Sequence, residues 1–461
     1  MGMQNSISQH VEAQQRYFNT GQTRDVRFRK ELLKRLQTEI VRREDAICEA
    51  LYADFKKPKF ETLIAETQFV LAELKMIIKH LELWAEPERV PSSILNFPSS
   101  DWIYKEPYGT VLIISPWNYP FQLTLLPLIS AVAAGNTAVL KPSELTPKTS
   151  AVIQKLVTAV FKPEHVLVCQ GDAEIAKSLL KEKWDYIFFT GSTRVGKIVY
   201  ESAASQLTPV TLELGGKSPC VVDETAVPAQ AARRIVWGKF LNAGQTCIAP
   251  DYILVHAQIK QQLLQELIKS ISSFFGENPE ESKDLARIIS PAHFERLKSL
   301  LSNEKILFGG AYNSADRFIS PTLVDEPSKE SKIMQEEIFG PILPIISYQN
   351  ESELEAWIHA SGKPLAAYLF SRRKSFQKKF VREFSFGGGT INDTLLQISN
   401  KNLPFGGVGK SGLGSYHGKR SFNTFSHQKA VVKRGTWLDF RFKYPPYNVP
   451  MNLIKKMKHI F

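Results

Sequence analysis

From Gly109 onward, short apolar runs alternate with helical stretches in a rhythm that fits a parallel sheet. Strands are expected at Gly109–Ser115, Thr137–Lys141, Val166–Cys169 and Tyr186–Thr190, and helices at Leu123–Ala134, Pro147–Val160, Ala173–Leu180 and Val195–Ser205. The run Val111–Ile114 has no polar alternation, so its strand is expected to be buried on both faces. Such a pattern specifies an α/β fold with helices on both sides of the sheet and a ligand site at the carboxyl ends of its strands. A second alternating block starts near Pro219, with a helix over 228–242, a strand at Tyr252–His256 and a helix over 258–275, and runs to about 390. Before the first block, residues 8–52 and 61–84 read as long helices. Between Pro87 and Pro107 the chain turns to Pro, Ser and aromatics, with a strand near Trp102–Lys105, which reads as an excursion from the main body.

Composition narrows the function. At 461 residues, 43% hydrophobic and 23% charged, the chain is globular and long enough for several domains. Its four cysteines, Cys48, Cys169, Cys220 and Cys247, form no CxxC pair, which argues against a disulfide framework or structural zinc and for a reducing compartment. No HExxH pair is present, and no metal is expected. Net charge is +12, and residues 431–461 hold half of it: seven basic residues against the single acid Asp439. The body is only mildly basic, so nucleic acid is not the expected partner, and a basic tail suits an anionic surface. The best candidate span, Leu123–Leu140, is broken by Pro127, Gly135 and Asn136, and residues 1–45 lack a secretory apolar core. The expected location is cytoplasmic, with peripheral attachment to membrane.

Six segments carry chemistry. In Phe188–Lys197 a strand ends, a glycine turn follows and a helix begins, offering backbone N–H groups and a helix dipole to an anion. It nearly matches a nucleotide-triphosphate loop, but Ile198 stands where a magnesium-binding hydroxyl belongs; an ordinary strand-to-helix turn also explains it. In Ala243–Pro250 a cysteine follows a glycine turn, a place for a nucleophile or for an inert buried thiol. In Leu212–Pro219 a carboxylate at an apolar strand end precedes two glycines; burial tunes it as a general base, unless it merely pairs with Lys217. In Ser115–Pro120 an asparagine between two prolines is either an oxyanion donor or a turn residue. Glu336–Pro341 and Leu403–Gly412 are weak alone and read as loops.

Taken in order, PWNYP, KPSE, FFTGSTRVG, LELGGKSP, GQTCIAP, EEIFGPI and PFGGVGKSG resemble the aldehyde dehydrogenase superfamily over roughly residues 10–430. The short N-terminus, Thr246 and the Ser415–Lys419 segment followed by a basic tail are similar to its class 3, fatty-aldehyde branch. The resemblance implies Cys247 as nucleophile, Asn118 as oxyanion donor and Glu213 as the base that activates water. It implies Glu337, with Phe339 packed nearby, at the nicotinamide ribose, and Lys141 and Glu144 at the adenosine ribose. It implies Gly191, Ser192 and Gly196 at the pyrophosphate turn, and Tyr119, Thr246 and His417 along the substrate channel. The cofactor is NAD, with NADP the alternative; Glu144 suits a free ribose 2′-OH and opposes a 2′-phosphate. Three lobes follow: a Rossmann-type cofactor domain (1–86 and 108–212), a catalytic α/β domain (213–405) and a bridging, oligomerisation region (87–107 and 406–430) that pairs a homodimer.

The tail beyond 430 is expected to lie on a membrane. Leu453, Ile454, Met457, Ile460 and Phe461 share one arc of a helix and Lys455, Lys456, Lys458 and His459 the other, while Phe440, Phe442 and Tyr444 alternate with Arg441 and Lys443 as in an extended segment. Docking on the protein's own body is the other reading. A membrane-facing tail points to long-chain fatty aldehydes or other extended apolar aldehydes such as apocarotenals. The competing functions are a dehydrogenase releasing its acyl group to coenzyme A and a catalytically silent membrane-surface binding protein.

Overall fold

The protein, seen in a computed structural model, is described over residues 2–360, 362–456 and 458. Its first sheet has six strands in the order Gly412–Leu413, Val210–Glu213, Tyr186–Thr190, Thr110–Ile114, Thr137–Lys141 and Val166–Val168. Its neighbours run parallel except at the Gly412–Leu413 edge. Every residue of the three central strands is buried, as their unbroken apolar runs require. The helix Gln122–Ala134 is buried at all 13 residues, and Gly135 ends it in the left-handed region at φ 99°.

The second sheet has seven strands, in the order Ile306–Phe308, Thr322–Asp325, Ile342–Tyr348, Tyr252–His256, Pro219–Val222, Ala366–Phe370 and Gly388–Ile391. It too is parallel apart from its first edge strand. A third, antiparallel sheet joins Glu88–Val90, Ser99–Pro107 and Ser426–Arg434. The excursion near 87–107 therefore pairs with a strand more than 300 residues away in sequence.

Four expectations need correction. The helix expected over 8–52 is three helices, Gly2–Asn19, Val26–Arg42 and Glu44–Phe55. Gly21 at φ 78° breaks the first, and the Asp25 carboxylate starts the second by accepting from the N–H groups of Arg27 and Phe28. The helix over 61–84 opens with Lys59–Thr62 and a π turn at Leu63–Thr67 before Gln68–Ala85. The boundary expected at 430 falls inside the strand Ser426–Arg434, and Gly412–Leu413 joins the first sheet. In the tail, the segment expected to be extended turns through one 3-10 turn at Arg441–Lys443, with the Phe440 and Phe442 rings 5.4 Å apart. A six-residue helix spans Met451–Lys456. The rest of the amphipathic arc, Met457 and His459–Phe461, lies outside the described residues.

Candidate active site

Three loops meet between the two large sheets. The first follows the strand Thr110–Ile114 and carries Asn118, which is buried. One N–H of its side-chain amide donates to the Gln245 carbonyl at 3.1 Å, which orients the amide and leaves its second N–H uncommitted. The second loop follows the helix Pro228–Phe240. Asn242, Ala243 and Gly244 take φ of 55°, 53° and 73° before the chain reaches Cys247. Gly244 is required there, since a Cβ would sit 2.3 Å from the Gly340 carbonyl oxygen. The third loop follows Val210–Glu213. A Cβ on Gly215 would lie 2.0 Å from a Glu337 carboxylate oxygen, so the glycine lets Glu337 close over the loop.

A cavity of about 340 Å³ has Asn118, Gly191, Ser192, Glu213, Cys247, Glu337 and Phe339 in its wall. Seven of the residues singled out from sequence thus converge on one space. Glu213 is 2% exposed, neither carboxylate oxygen has a hydrogen-bonding partner in the protein, and burial pushes its carboxyl well above the usual range. The pairing with Lys217 considered from sequence is not made: Lys217 reaches Asp251 at 2.5 Å instead. Asp251 in turn accepts from the Ile338 N–H at 2.9 Å and so fixes the Glu337–Phe339 turn. Burial raises the Glu337 carboxyl to about 8, with Asp251 adding to the effect. The Cys247 thiol is pushed up by burial, and then by the Glu337 and Glu213 charges; the N–H groups of Cys247 and Ile248 act the other way. At rest it is a thiol, and it needs a proton acceptor to become a nucleophile.

Also in the cavity wall, Ser192 caps the helix Thr193–Ala204 by accepting from the Val195 N–H. The turn Thr190–Ser192 leads from the carboxyl end of a parallel strand into this helix, and a Cβ on Gly191 would come within 2.6 Å of the Phe189 ring. A strand end running into a helix start places backbone N–H groups and the positive end of the helix dipole at this corner.

The remaining sequence candidates lie off this wall. Gly196 faces Leu214, where a Cβ would come within 2.6 Å, so it serves close packing of helix on sheet. Lys141, at the carboxyl end of Thr137–Lys141, donates to Glu144 at 2.6 Å. Tyr119 and Thr246 share a hydroxyl–hydroxyl hydrogen bond of 2.8 Å. His417 is buried among Phe69, Phe405 and Tyr416, neither ring nitrogen has a protein partner, and burial lowers its imidazole to about 3. Phe405 touches both His417 and the cavity.

Three wall residues escaped the sequence reading. Trp117 packs edge-on to Phe339 at 5.3 Å. His293, lowered to about 4 by burial, donates from Nε2 to the Phe339 carbonyl at 2.8 Å. Arg296 donates to the Glu337 and Ile338 carbonyls and pairs with Glu336. The only signal for the last two is their three-residue spacing on the helix Pro291–Leu300.

Comparison with known proteins agrees with this geometry. The aldehyde dehydrogenase family model matches residues 2–431. The 4,4′-diaponeurosporen-aldehyde dehydrogenase of Staphylococcus aureus (strain NCTC 8325 / PS 47) is 49% identical over 98% of this chain and 99% of its own. A rat aldehyde dehydrogenase described as dimeric and NADP-preferring is 44% identical over 96% of this chain and 98% of its own. The solved structure of the substrate-bound state of Staphylococcus aureus AldH superposes with a TM-score of 0.96 at 48% identity, over 98% of this chain and 99% of that one. This chain is therefore a member of the aldehyde dehydrogenase family, whose enzymes are oxidoreductases working with NAD or NADP.

Proposed function

We propose that the enzyme oxidises extended apolar aldehydes to carboxylic acids through covalent attachment to Cys247, at the surface of a membrane. The observation that carries the chemistry is the shared cavity in which Glu213, without a protein partner, faces the same space as Cys247 and Asn118. Cys247 Sγ adds to the aldehyde carbon, and its proton passes to Glu213. The developing oxyanion accepts from the uncommitted N–H of the Asn118 amide and from the Cys247 backbone N–H. Glu337 and the Gly191–Ser192 turn would hold a nicotinamide cofactor, which would supply the hydride acceptor that brings the carbon to the oxidation level of a thioester. Glu213 passes the thiol proton to solvent and, again a carboxylate, takes a proton from water as that water attacks the thioester. The tetrahedral adduct collapses, the acid leaves, and Glu213 returns the proton to the expelled Cys247 thiolate.

Gly191, Ser192 and the first turn of Thr193–Ala204 would hold the pyrophosphate, with Gly196 letting that helix approach the sheet. Lys141 and Glu144 would hold the adenosine ribose, and Glu337 the nicotinamide ribose. A carboxylate at 144 accepts from a 2′-OH, which favours NAD. Tyr119, Thr246 and His417 would border the path of the substrate. Sheets one and two then correspond to cofactor and catalytic domains, and the third sheet, whose edge strand Ser426–Arg434 has Val432 52% exposed, would pair two subunits. Asn118→Ala is expected to lower kcat by about 10²–10³ while cofactor affinity, measured by NADH fluorescence titration, stays as in wild type.

The membrane reading is supported by the tail. Trp437, Phe442, Tyr447 and Met451 are each more than half exposed in the same segment as Arg441 and Lys443, an aromatic and basic stretch suited to a lipid interface. Among the described residues no helix is long and apolar enough to cross a membrane, so the expected attachment is peripheral. The names of the relatives, a diaponeurosporen-aldehyde dehydrogenase and an aldehyde dehydrogenase family 3 member A2, support an apolar substrate.

The test is NADH or NADPH formation from butanal to dodecanal, for the full chain and for a form lacking residues 435–461. Each methylene that enters an apolar channel is worth about 0.8 kcal/mol, so kcat/KM should climb about fourfold per methylene until the channel is filled, and more with NAD than NADP. A profile flat in chain length refutes the apolar substrate. The shortened form should turn over butanal normally and no longer sediment with anionic vesicles; continued sedimentation refutes the role of the tail.

A further inference from the structure

A second buried charge cluster sits beside the active-site loops and takes no part in the chemistry above. Lys57 and Glu66 are fully buried, and Glu61 nearly so. Lys57 Nζ donates to Glu66 at 2.7 Å and to the Asn118 carbonyl at 3.4 Å, and lies 3.8 Å from the centre of the Tyr119 ring. The other Glu66 oxygen accepts from the Gln122 N–H at 2.8 Å. Glu61 accepts from the Asn242 backbone N–H at 2.9 Å. The π turn at Leu63–Thr67 brings residues five apart onto one side of the helix, so both carboxylates face inward.

Burying ions costs several kcal/mol each before any compensation, and well-packed apolar residues often serve stability as well or better. Stability is therefore a weak reason for this cluster, and its contacts supply another. Both of its free ends grip active-site loops. Asn242 and Ala243 hold a left-handed backbone that side-chain-bearing residues keep only where their surroundings impose it. The Asn242 amide donates to the Asn118 carbonyl at 2.9 Å and to the Gln245 carbonyl at 3.2 Å. The Gln245 carbonyl also receives the Asn118 amide at 3.1 Å. Gln245 is anchored in turn on Arg287 and Ile289. Asn242, Asn118 and Gln245 thus form a closed set of hydrogen bonds two residues before Cys247, and Glu61 holds that set at the Asn242 N–H.

We propose that Glu61 is a positioning residue: through the Asn242 N–H it holds the strained 242–244 turn, and so keeps Cys247 in register with the Asn118 amide. This deepens the reading of Cys247 and Asn118 given above and rests on it. The groups facing Glu61 are Lys57, which favours its charge, and Asp284 and Tyr119; the Glu66 charge is spent directly on Lys57. Burial sets the Glu61 carboxyl at about 7. Above that pH it ionises, and its bond to the Asn242 N–H becomes charge-assisted and stronger; below it, the hold slackens.

The test uses the full chain, with Glu61→Ala and Glu61→Gln. A charge-assisted bond lost at this point corresponds to about a 10- to 100-fold fall in kcat for Glu61→Ala, with aldehyde KM little changed. Glutamine keeps an acceptor oxygen, so Glu61→Gln should recover kcat to within about threefold, matching wild type at pH 6 and lagging above pH 7. Alkylation of Cys247 by iodoacetamide, read by mass spectrometry with neither aldehyde nor NAD present, should change in Glu61→Ala and recover in Glu61→Gln. That readout separates a failure of this proposal from a failure of the aldehyde reading. Wild-type kcat and alkylation in Glu61→Ala overturn the proposal. If Glu61→Ala does not fold, the Glu61→Gln profile decides: a kcat–pH curve superimposable on wild type overturns it, and a flattened neutral limb supports it.

Discussion

Replacing Cys247 with alanine should remove aldehyde-dependent NADH formation, a fall of at least about 10⁴-fold, since removing the nucleophile of a covalent mechanism costs that much or more. The variant should fold and bind cofactor as wild type does, because removing one sulfur atom leaves the loop's framework of hydrogen bonds in place. The loop is held by Asn242 and Gln245. The other cysteines cannot substitute for it. Cys220 is fully buried in the strand Pro219–Val222, burial raises the Cys169 thiol to about 11, and Cys48 lies in a helix of the N-terminal layer. Measurable turnover in Cys247→Ala, beyond a wild-type contamination control, would remove the nucleophile from the account.

Glu213→Gln should separate the two halves of the reaction. Glutamine keeps the shape of the side chain and removes its ability to take a proton, and losing a general base costs about 10²–10⁴-fold. Steady-state kcat is expected to fall by that factor. If deacylation is the step most dependent on Glu213, rapid mixing should show a burst of NADH approaching one equivalent per subunit, followed by a slow steady state. A fall in rate with no burst would place the demand for the base earlier, at deprotonation of the Cys247 thiol. Unchanged steady-state turnover would show that the carboxylate without protein partners is not the base.

Sequence reading succeeds here where a local constraint leaves few alternatives. Thr137–Lys141 and Tyr186–Thr190 are bounded correctly because a strand buried on both faces is an unbroken apolar run with polar punctuation at each end. The motif glycines are legible for a related reason. Gly215 and Gly244 stand where another heavy atom occupies the place of a Cβ, so the motifs that contain them mark points where loops are pressed together. Reading fails where the decision is tertiary. The N-terminal helix is cut at Gly21 and Asp25, although the spacing of apolar residues continues across the break. His293 and Arg296 look like ordinary polar positions on a helix, and only the fold carries them to the Phe339 turn, more than 40 residues later. Glu61 and Lys57 are similar: nothing in a polar, helical stretch announces that both charges are buried beneath the loops that bear Asn118 and Cys247. Arg441–Lys443 turns rather than extends, and alternating aromatic and basic residues fit a strand and a short turn equally well.

The account stands on a covalent bond between substrate and one sulfur atom, and that bond can be weighed. Glu213→Gln, mixed with NAD and dodecanal, quenched in acid and digested, should yield a peptide containing Cys247 heavier by the mass of the dodecanoyl group less one hydrogen, with the other three cysteines unmodified. An unmodified Cys247 peptide after a full burst of NADH, or an acyl group found on Cys48, Cys169 or Cys220, would contradict it.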